Sequence, residues 1–374
     1  MIKLKRENLK KFFDNVSEKY PLFLPLKNGA NTDYGCYDGV KEFDLDTLKT
    51  SKSPKDVFFP QSENMMKFRT EGKNIEIVDV REEKQSFVVF GVRACDFKAF
   101  SVLDNVFLSD PVDTYYKARR DAGIIFTLAC GKPEQSCFCK VFGIDAADPK
   151  GDATCWLDDE YLYIRADNEK GEEVLALADG LAENADETAV DAIKKQSAEI
   201  TARLPYANLD VSRFKPENLN ELFNLPVWNE LSEACLGCGT CTFLCPTCQC
   251  FDIRDFTTNK DIVRYRCWDS CMYSDFTQMA AANRPFSQAN RTASSASGQP
   301  LTEATPFIPP GRTIMSSWVK SICPSSISAV TGMPWLPVTT FPPMPTVATD
   351  TPARRSRSIG VTASVSSKPV PSNM

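Results

Sequence analysis

Cys235, Cys238, Cys241 and Cys245, with Pro246 directly behind them, spell C-x2-C-x2-C-x3-C-P inside the stretch CLGCGTCTFLCPTCQCFDI. That run is the ligand pattern of a 4Fe–4S cluster. Two intervening residues let the chain curl round one corner of a cubane and present successive thiolates to different irons. Gly237 and Gly239 permit close approach and unusual φ, so that backbone N–H groups can point at the sulfides, and Pro246 turns the chain out of the loop. A structural zinc site usually joins two separated cysteine pairs round a single ion. Three ligands within seven residues suit the larger cluster, and a non-redox zinc-binding interaction module stands as the alternative.

The cysteine content extends well beyond this run. Six cysteines fall within residues 235–250, and the chain has fifteen. In two-cluster ferredoxins the fourth cysteine of the run ligates the other cluster, which calls for a second such run. None is present: after Cys271 only Cys323 remains, in a lone Cys-Pro step. Cys245 therefore either closes a single cluster here or belongs to an incomplete second one. Cys248, Cys250, Cys267 and Cys271 are candidates for a replacement ligand or a separate metal site. A further set lies far upstream. Cys95 follows the strand-like SFVVFGV, Cys130 ends AGIIFTLAC, and Cys137 and Cys139 come next in SCFCK. If those strands are parallel, both thiols emerge at the carboxyl edge of the sheet, where open α/β folds place ligands, and four thiols there can hold another cluster. Buried cysteine is also a common small hydrophobe, which is the reading for Cys36 and Cys155.

There is no histidine in the 374 residues. That excludes Ser–His and Cys–His catalysis, His-ligated haem, Rieske clusters and Cys2His2 zinc fingers. A net charge of -6 argues against nucleic acid or an anionic membrane as partner. The basic start, MIKLKRENLKKFFDNVSEKY, reads as an amphipathic helix rather than a signal peptide, and no stretch approaches the ~20 apolar residues that span a bilayer. So many thiols without a secretory signal point to metal or redox chemistry in the cytoplasm.

The elements that must position these thiols fall into three regions. Residues 1–205 read as a mixed α/β domain, with strands at 74–80 and 86–92, a helix over RACDFKAFSVLDNVF, a second over DTYYKARRD, and a strand in AGIIFTLAC. That order predicts a parallel βαβ unit. A hairpin (CWLDDEYLYIRA) and helices near 170–183 and 186–203 follow. Residues 206–284 form a small ferredoxin-like iron–sulfur module, entered through a short helix in ENLNELFNLPVWNELSEA. Residues 285–374 read as a disordered Ser/Thr/Pro-rich tail: positions 287–374 hold two acids, seven Lys or Arg and thirteen of the 25 prolines.

GVRACDFKAFSVLD (91–104), YYKARRDAGIIFTLAC with SCFC, CLGCGTCTFLCPTCQCFDI and WDSCMYSDFTQMA (268–280) together resemble a known family. It comprises the iron–sulfur electron-transfer component of anaerobic sulfite reductase and the β subunit of cytoplasmic NiFe sulfhydrogenases. The resemblance covers residues 1–281. It implies a relay of electrons that links a flavoprotein (FAD/NAD-type) subunit with a catalytic subunit carrying sirohaem or nickel–iron. It also strengthens the case for a cluster at Cys95, Cys130, Cys137 and Cys139. Crossed ligation in the family implies that Cys235, Cys238 and Cys241 hold one cluster whose fourth thiolate comes from a second motif. The resemblance stops where the acids vanish, so the tail is expected to be an out-of-frame reading of the true terminus. Translating the other forward frames checks this.

The expected function is that of an iron–sulfur electron-transfer subunit with no substrate chemistry of its own, since neither a G-x-G-x-x-G after a strand nor a P-loop marks a nucleotide site. A catalytic reductase that uses flavin or a cluster is the alternative from another class.

Overall fold

The strands FVVFGV and GIIFTL show how the core is built. Along the first, Val88 and Phe90 pack into one apolar cluster while Phe87, Val89 and Val92 pack into another. Along the second, Ile124, Phe126 and Leu128 join the first cluster and Ile125 the second. A strand places alternate side chains on opposite faces, so a strand apolar at every position lies between two layers. Register slips by one residue between Phe90 and Val92, at Gly91, which moves Val92 from the first face to the second.

These strands belong to a computed structural model that describes residues 1–71, 74–80, 85–258, 261–276, 278 and 291, all within one compact unit, Met1–Ile327. The strands are β1 (Ile2–Lys5), β2 (Leu22–Asn28), β3 (Asn31–Cys36), β4 (Ser62–Glu71), β5 (Asn74–Asp79), β6 (Phe87–Val92), β7 (Gly123–Leu128), β8 (Ala153–Leu157), β9 (Tyr161–Ala166), β10 (Ala182–Asn184), β11 (Phe251–Thr257) and β12 (Asp261–Trp268). The helices are α1 (Leu9–Lys19), α2 (Lys55–Phe58), α3 (Ala94–Phe107), α4 (Thr114–Ala122), α5 (Glu169–Leu175), α6 (Asp191–Arg203), α7 (Leu219–Phe223), α8 (Val227–Glu233) and α9 (Thr240–Leu244).

An eight-stranded sheet runs β10-β1-β9-β8-β7-β6-β2-β3. Its centre, β2-β6-β7-β8, is parallel, as the βαβ reading of β6, α3, α4 and β7 requires. Asp113 caps α4 by accepting from the backbone N–H groups of Tyr115 and Tyr116, which satisfies two donors a helix start leaves open. The mixed α/β architecture and the predicted strands at 74–80 and 86–92 are present, as is the β8–β9 hairpin.

Three local expectations are corrected. Ile2–Lys5 is strand rather than helix, because β1 fills the antiparallel slot between β9 and β10; the helix begins at Leu9 and buries Leu9, Phe12, Phe13 and Val16 at helical spacing. The helix near 170–183 ends at Leu175, and Ala182–Asn184 is drawn out as edge strand β10. The lead-in to the cysteines is two helices, α7 and α8, divided at Pro226, since proline cannot donate within a helix.

A four-stranded antiparallel sheet, β11-β12-β4-β5, joins strands from the two halves of the chain. Arg266 of β12, 1 % exposed, locks the joint. Its guanidinium meets Glu63 of β4 at 2.6 Å and Asp113 at the start of α4 at 2.5 Å. The predicted tail over 285–374 lies outside the described residues apart from Arg291.

Candidate metal centre

The ferredoxin-type loop is shaped by two glycines in the left-handed region, Gly237 (φ 67°) and Gly239 (φ 71°). Gly239 is doubly constrained, because a Cβ there would lie 2.5 Å from the Tyr273 hydroxyl. That hydroxyl donates to the carbonyl of Cys238 at 3.0 Å. After Gly239 the chain turns into the single-turn α9, whose Thr242 hydroxyl bonds the Gly239 carbonyl at 2.8 Å and lies 2.7 Å from the Ser270 hydroxyl. The loop is thereby tied to the segment that carries Cys271. Cys235, Cys238 and Cys241 are exposed on it, whereas Cys245, Cys248, Cys250 and Cys271 are partly buried. Thr240 bonds the Cys238 thiol at 3.3 Å and pulls its pKa down.

Cys245 keeps different company from the other three members of its run. Its sulfur partner is Cys248, whose hydrogen bond holds the Cys245 thiol down at about 5, and Thr247 adds a second bond at 3.1 Å. Cys250 is paired in the same way with Cys271. The hairpin explains this second pairing. Phe251 faces Trp268 across β11 and β12, so Cys250, just before β11, and Cys271, just after β12, meet at one end of the ribbon. Cys271 is also within electrostatic reach of Cys241 and of Cys248. Cys267 goes elsewhere; its neighbours are Arg254, Asp252 and Asp269.

Lys55 of α2 enters the same place. It is 2 % exposed, and its ammonium donates to the carbonyls of Cys245 (2.9 Å) and Cys248 (3.1 Å). Burial lowers its pKa, opposed by the charge of Cys248, Cys245, Asp56 and Cys250. Nothing in KSPKDVFFP distinguishes this lysine from a surface one. It arrives because α2 leads into β4, and β4 pairs with β12 up to Cys267 opposite Ser62.

The upstream thiols converge as well. β6 and β7 are parallel, so Cys95 at the start of α3 and Cys130 after β7 share one sheet edge. Cys139 hydrogen-bonds Cys95, an interaction that lowers Cys139 to about 7 and raises Cys95. Cys130 is raised to about 11, first by burial, and lies within reach of both Cys139 and Cys137. Arg93 braces this edge by donating to the carbonyls of Ala129, Leu45 and Thr47, each at 2.9 Å. Lys49 bonds Glu134 and Ser136 on the cysteine loop and feels the charge of Cys137 and Cys95. Asp96, pushed up to about 7 by burial, is within reach of Cys245. Cys155 is fully buried in the core; Cys36 ends β3 at the surface. Cys323 lies outside the described residues.

This donor set fits iron–sulfur ligation. No disulfide forms among the described cysteines, and no set of three or more His, Cys, Asp or Glu among the described residues is arranged to hold a single metal ion. No described helix is long and apolar enough to cross a membrane.

Comparison with known proteins agrees. The model of the 4Fe-4S dicluster domain family matches residues 234–299, a stretch that contains eight cysteines and one ferredoxin run. Sulfhydrogenase 2 subunit beta of Pyrococcus furiosus is 31% identical over 272 residues, 72% of this chain and 79% of that one. No solved structure matches. The chain therefore belongs to the sulfhydrogenase β-subunit family of iron–sulfur proteins and carries at least one 4Fe–4S cluster.

Proposed function

We propose that this chain relays electrons, within a cytoplasmic complex, linking a flavoprotein (FAD/NAD-type) subunit with a catalytic subunit bearing nickel–iron or sirohaem, and that it performs no substrate chemistry itself. The observation that carries the reading is the continuity of its thiols. Cys95, Cys130, Cys137 and Cys139 form one group, Asp96 is within electrostatic reach of both Cys95 and Cys245, and Cys271 is within reach of Cys241 on the exposed loop. A bound 4Fe–4S cluster accepts and releases one electron, and redox centres strung through one unit supply a conducting path. Cys235, Cys238 and Cys241 hold the outer cluster; Cys95, Cys130, Cys137 and Cys139 hold another. The exposed Leu231 and Leu236 beside the loop thiols support docking of a partner there, since apolar side chains at an exposed edge favour association.

Anaerobic reconstitution with iron and sulfide, followed by EPR of the reduced protein, is the direct test. Cys95→Ser should remove one signal and leave the loop cluster. Mixed with a reduced nicotinamide and the flavoprotein subunit, the reconstituted chain should bleach at visible wavelengths. Zinc without iron or sulfide, or a flavin spectrum in the isolated chain, would overturn the reading.

A further inference from the structure

We infer that Cys245, Cys248, Cys250 and Cys271 form an interior cluster site of their own, complete within this chain, with Lys55 as its built-in counter-ion. The inference rests on the iron–sulfur reading above and adds a site to it. The fourth thiol of the ferredoxin run has been left without an obvious partner motif, and the tertiary structure supplies partners from nearer at hand. Cys245 and Cys248 come from the turn after α9, Cys250 from the entry to β11, and Cys271 from the exit of β12. Hydrogen bonding joins them as two pairs, Cys245 with Cys248 and Cys250 with Cys271, and Cys248 is within reach of Cys271.

Lys55 is the independent observation. A buried ammonium costs several kcal/mol unless negative charge compensates it. The ammonium lies beside the backbone of Cys245 and Cys248, where the thiolates of a bound cluster would supply compensating charge. Two of its N–H bonds go to the carbonyls of Cys245 and Cys248, so the same residue fixes the backbone that presents two of the thiols. The indole N–H of Trp268, which lies under Lys55 and is 8 % exposed, has no acceptor among the described residues. A buried donor in that state marks a missing acceptor, and sulfur of a bound cluster is one. When the site loads, each thiol that still carries a proton releases it to solvent and four iron–sulfur bonds form.

The thiol groups also have different accessibility. The loop cysteines are exposed, while this set is partly buried and its member Cys245 is within reach of Asp96. An interior cluster would be the middle station of the relay: the electron that arrives from one neighbour leaves to the other, with no net change in the site.

The test counts clusters in the full chain. A variant with Cys95→Ser, Cys139→Ser, Cys235→Ser and Cys238→Ser disables both other groups and leaves the interior thiols untouched. After anaerobic reconstitution it should retain a single cluster, read as about four iron per chain with a reduced-state EPR signal. Iron at background overturns the interior site, and so does zinc bound without sulfide. Conversely, Cys248→Ser with Cys271→Ser should reduce the iron content by one cluster while the loop signal persists. An unchanged count also overturns the proposal. Failure of the interior site is distinguishable from failure of the relay reading, because the loop cluster and its reduction through the flavoprotein subunit are measured separately on the wild-type chain.

Discussion

The ammonium of Lys55 lies 3.9 Å from the centroid of the Trp268 ring, a cation–π contact between the first residue of α2 and the last residue of β12. The pair closes the joint between the two halves of the chain beside the interior thiols. A fixed positive charge near a cluster favours its reduced state. Lys55→Met should therefore move the midpoint potential of the interior cluster downward by tens of millivolts, about 59 mV for each tenfold change in a one-electron equilibrium. Lys55→Arg, which keeps the charge, should restore most of the shift. Potentiometric EPR titration decides it; equal potentials in all three proteins would remove the electrostatic role.

Arg266 tests the joint itself. Removing it leaves Asp113 without its buried cation and Glu63 with only Arg119, 3.0 Å away. Arg266→Met is expected to destabilise the apo chain by about 3–5 kcal/mol, measured by urea unfolding. A loss below about 1 kcal/mol would show that the two sheets are held by apolar packing alone.

Gly239→Ala should damage the ferredoxin loop by two routes: a left-handed φ of 71° and a collision with Tyr273. The iron bound by the loop should fall while the Cys95 signal stays. Adding Tyr273→Ala relieves the collision but leaves backbone strain on the order of 1 kcal/mol, so recovery should be partial. Full recovery would mean that the left-handed backbone is dispensable.

Acid sensitivity follows from the Arg6–Asp46 pair. Two hydrogen bonds from Arg6, at 2.7 and 2.8 Å, hold the Asp46 carboxyl below its usual value of 3.8. A depressed carboxylate contributes stability that is fully present above its unfolded pKa and is lost as pH falls through the lower folded one. The Asp46 side chain is 66 % exposed, so the contribution is under about 1 kcal/mol. Asp46→Asn should narrow the stability difference between pH 6 and pH 3 by that amount and leave the pH 6–8 dependence as it is in the wild type. A wild-type slope in the variant would place the acid sensitivity elsewhere.

The central fold was legible because its signals are local. FVVFGV and GIIFTL are apolar at every position but Thr127, and a helical pattern stands between them, so a buried parallel pair followed. That pair put Cys95 and Cys130 at one edge, where the structure has them. The strands β1, β10, β4 and β12 were not legible: β1 and β10 are only four and three residues long, β4 and β12 mix charged with apolar residues, and each is fixed by the partner that hydrogen-bonds it. Arg266 was missed for the same reason: an arginine reads as surface until Glu63 and Asp113 are brought to it.

Cysteine number and spacing, with the absence of histidine, were enough to determine that this protein binds iron–sulfur, because ligand type and spacing around a cubane are properties of the chain alone. Which thiol keeps company with which was decided only by the tertiary structure. The neighbours of Cys245 come from positions 55, 96 and 248, and they meet because β11 folds back on β12 and β12 docks on β4. Hydrogen-bond register between strands far apart in sequence sets those distances, and no local pattern encodes it.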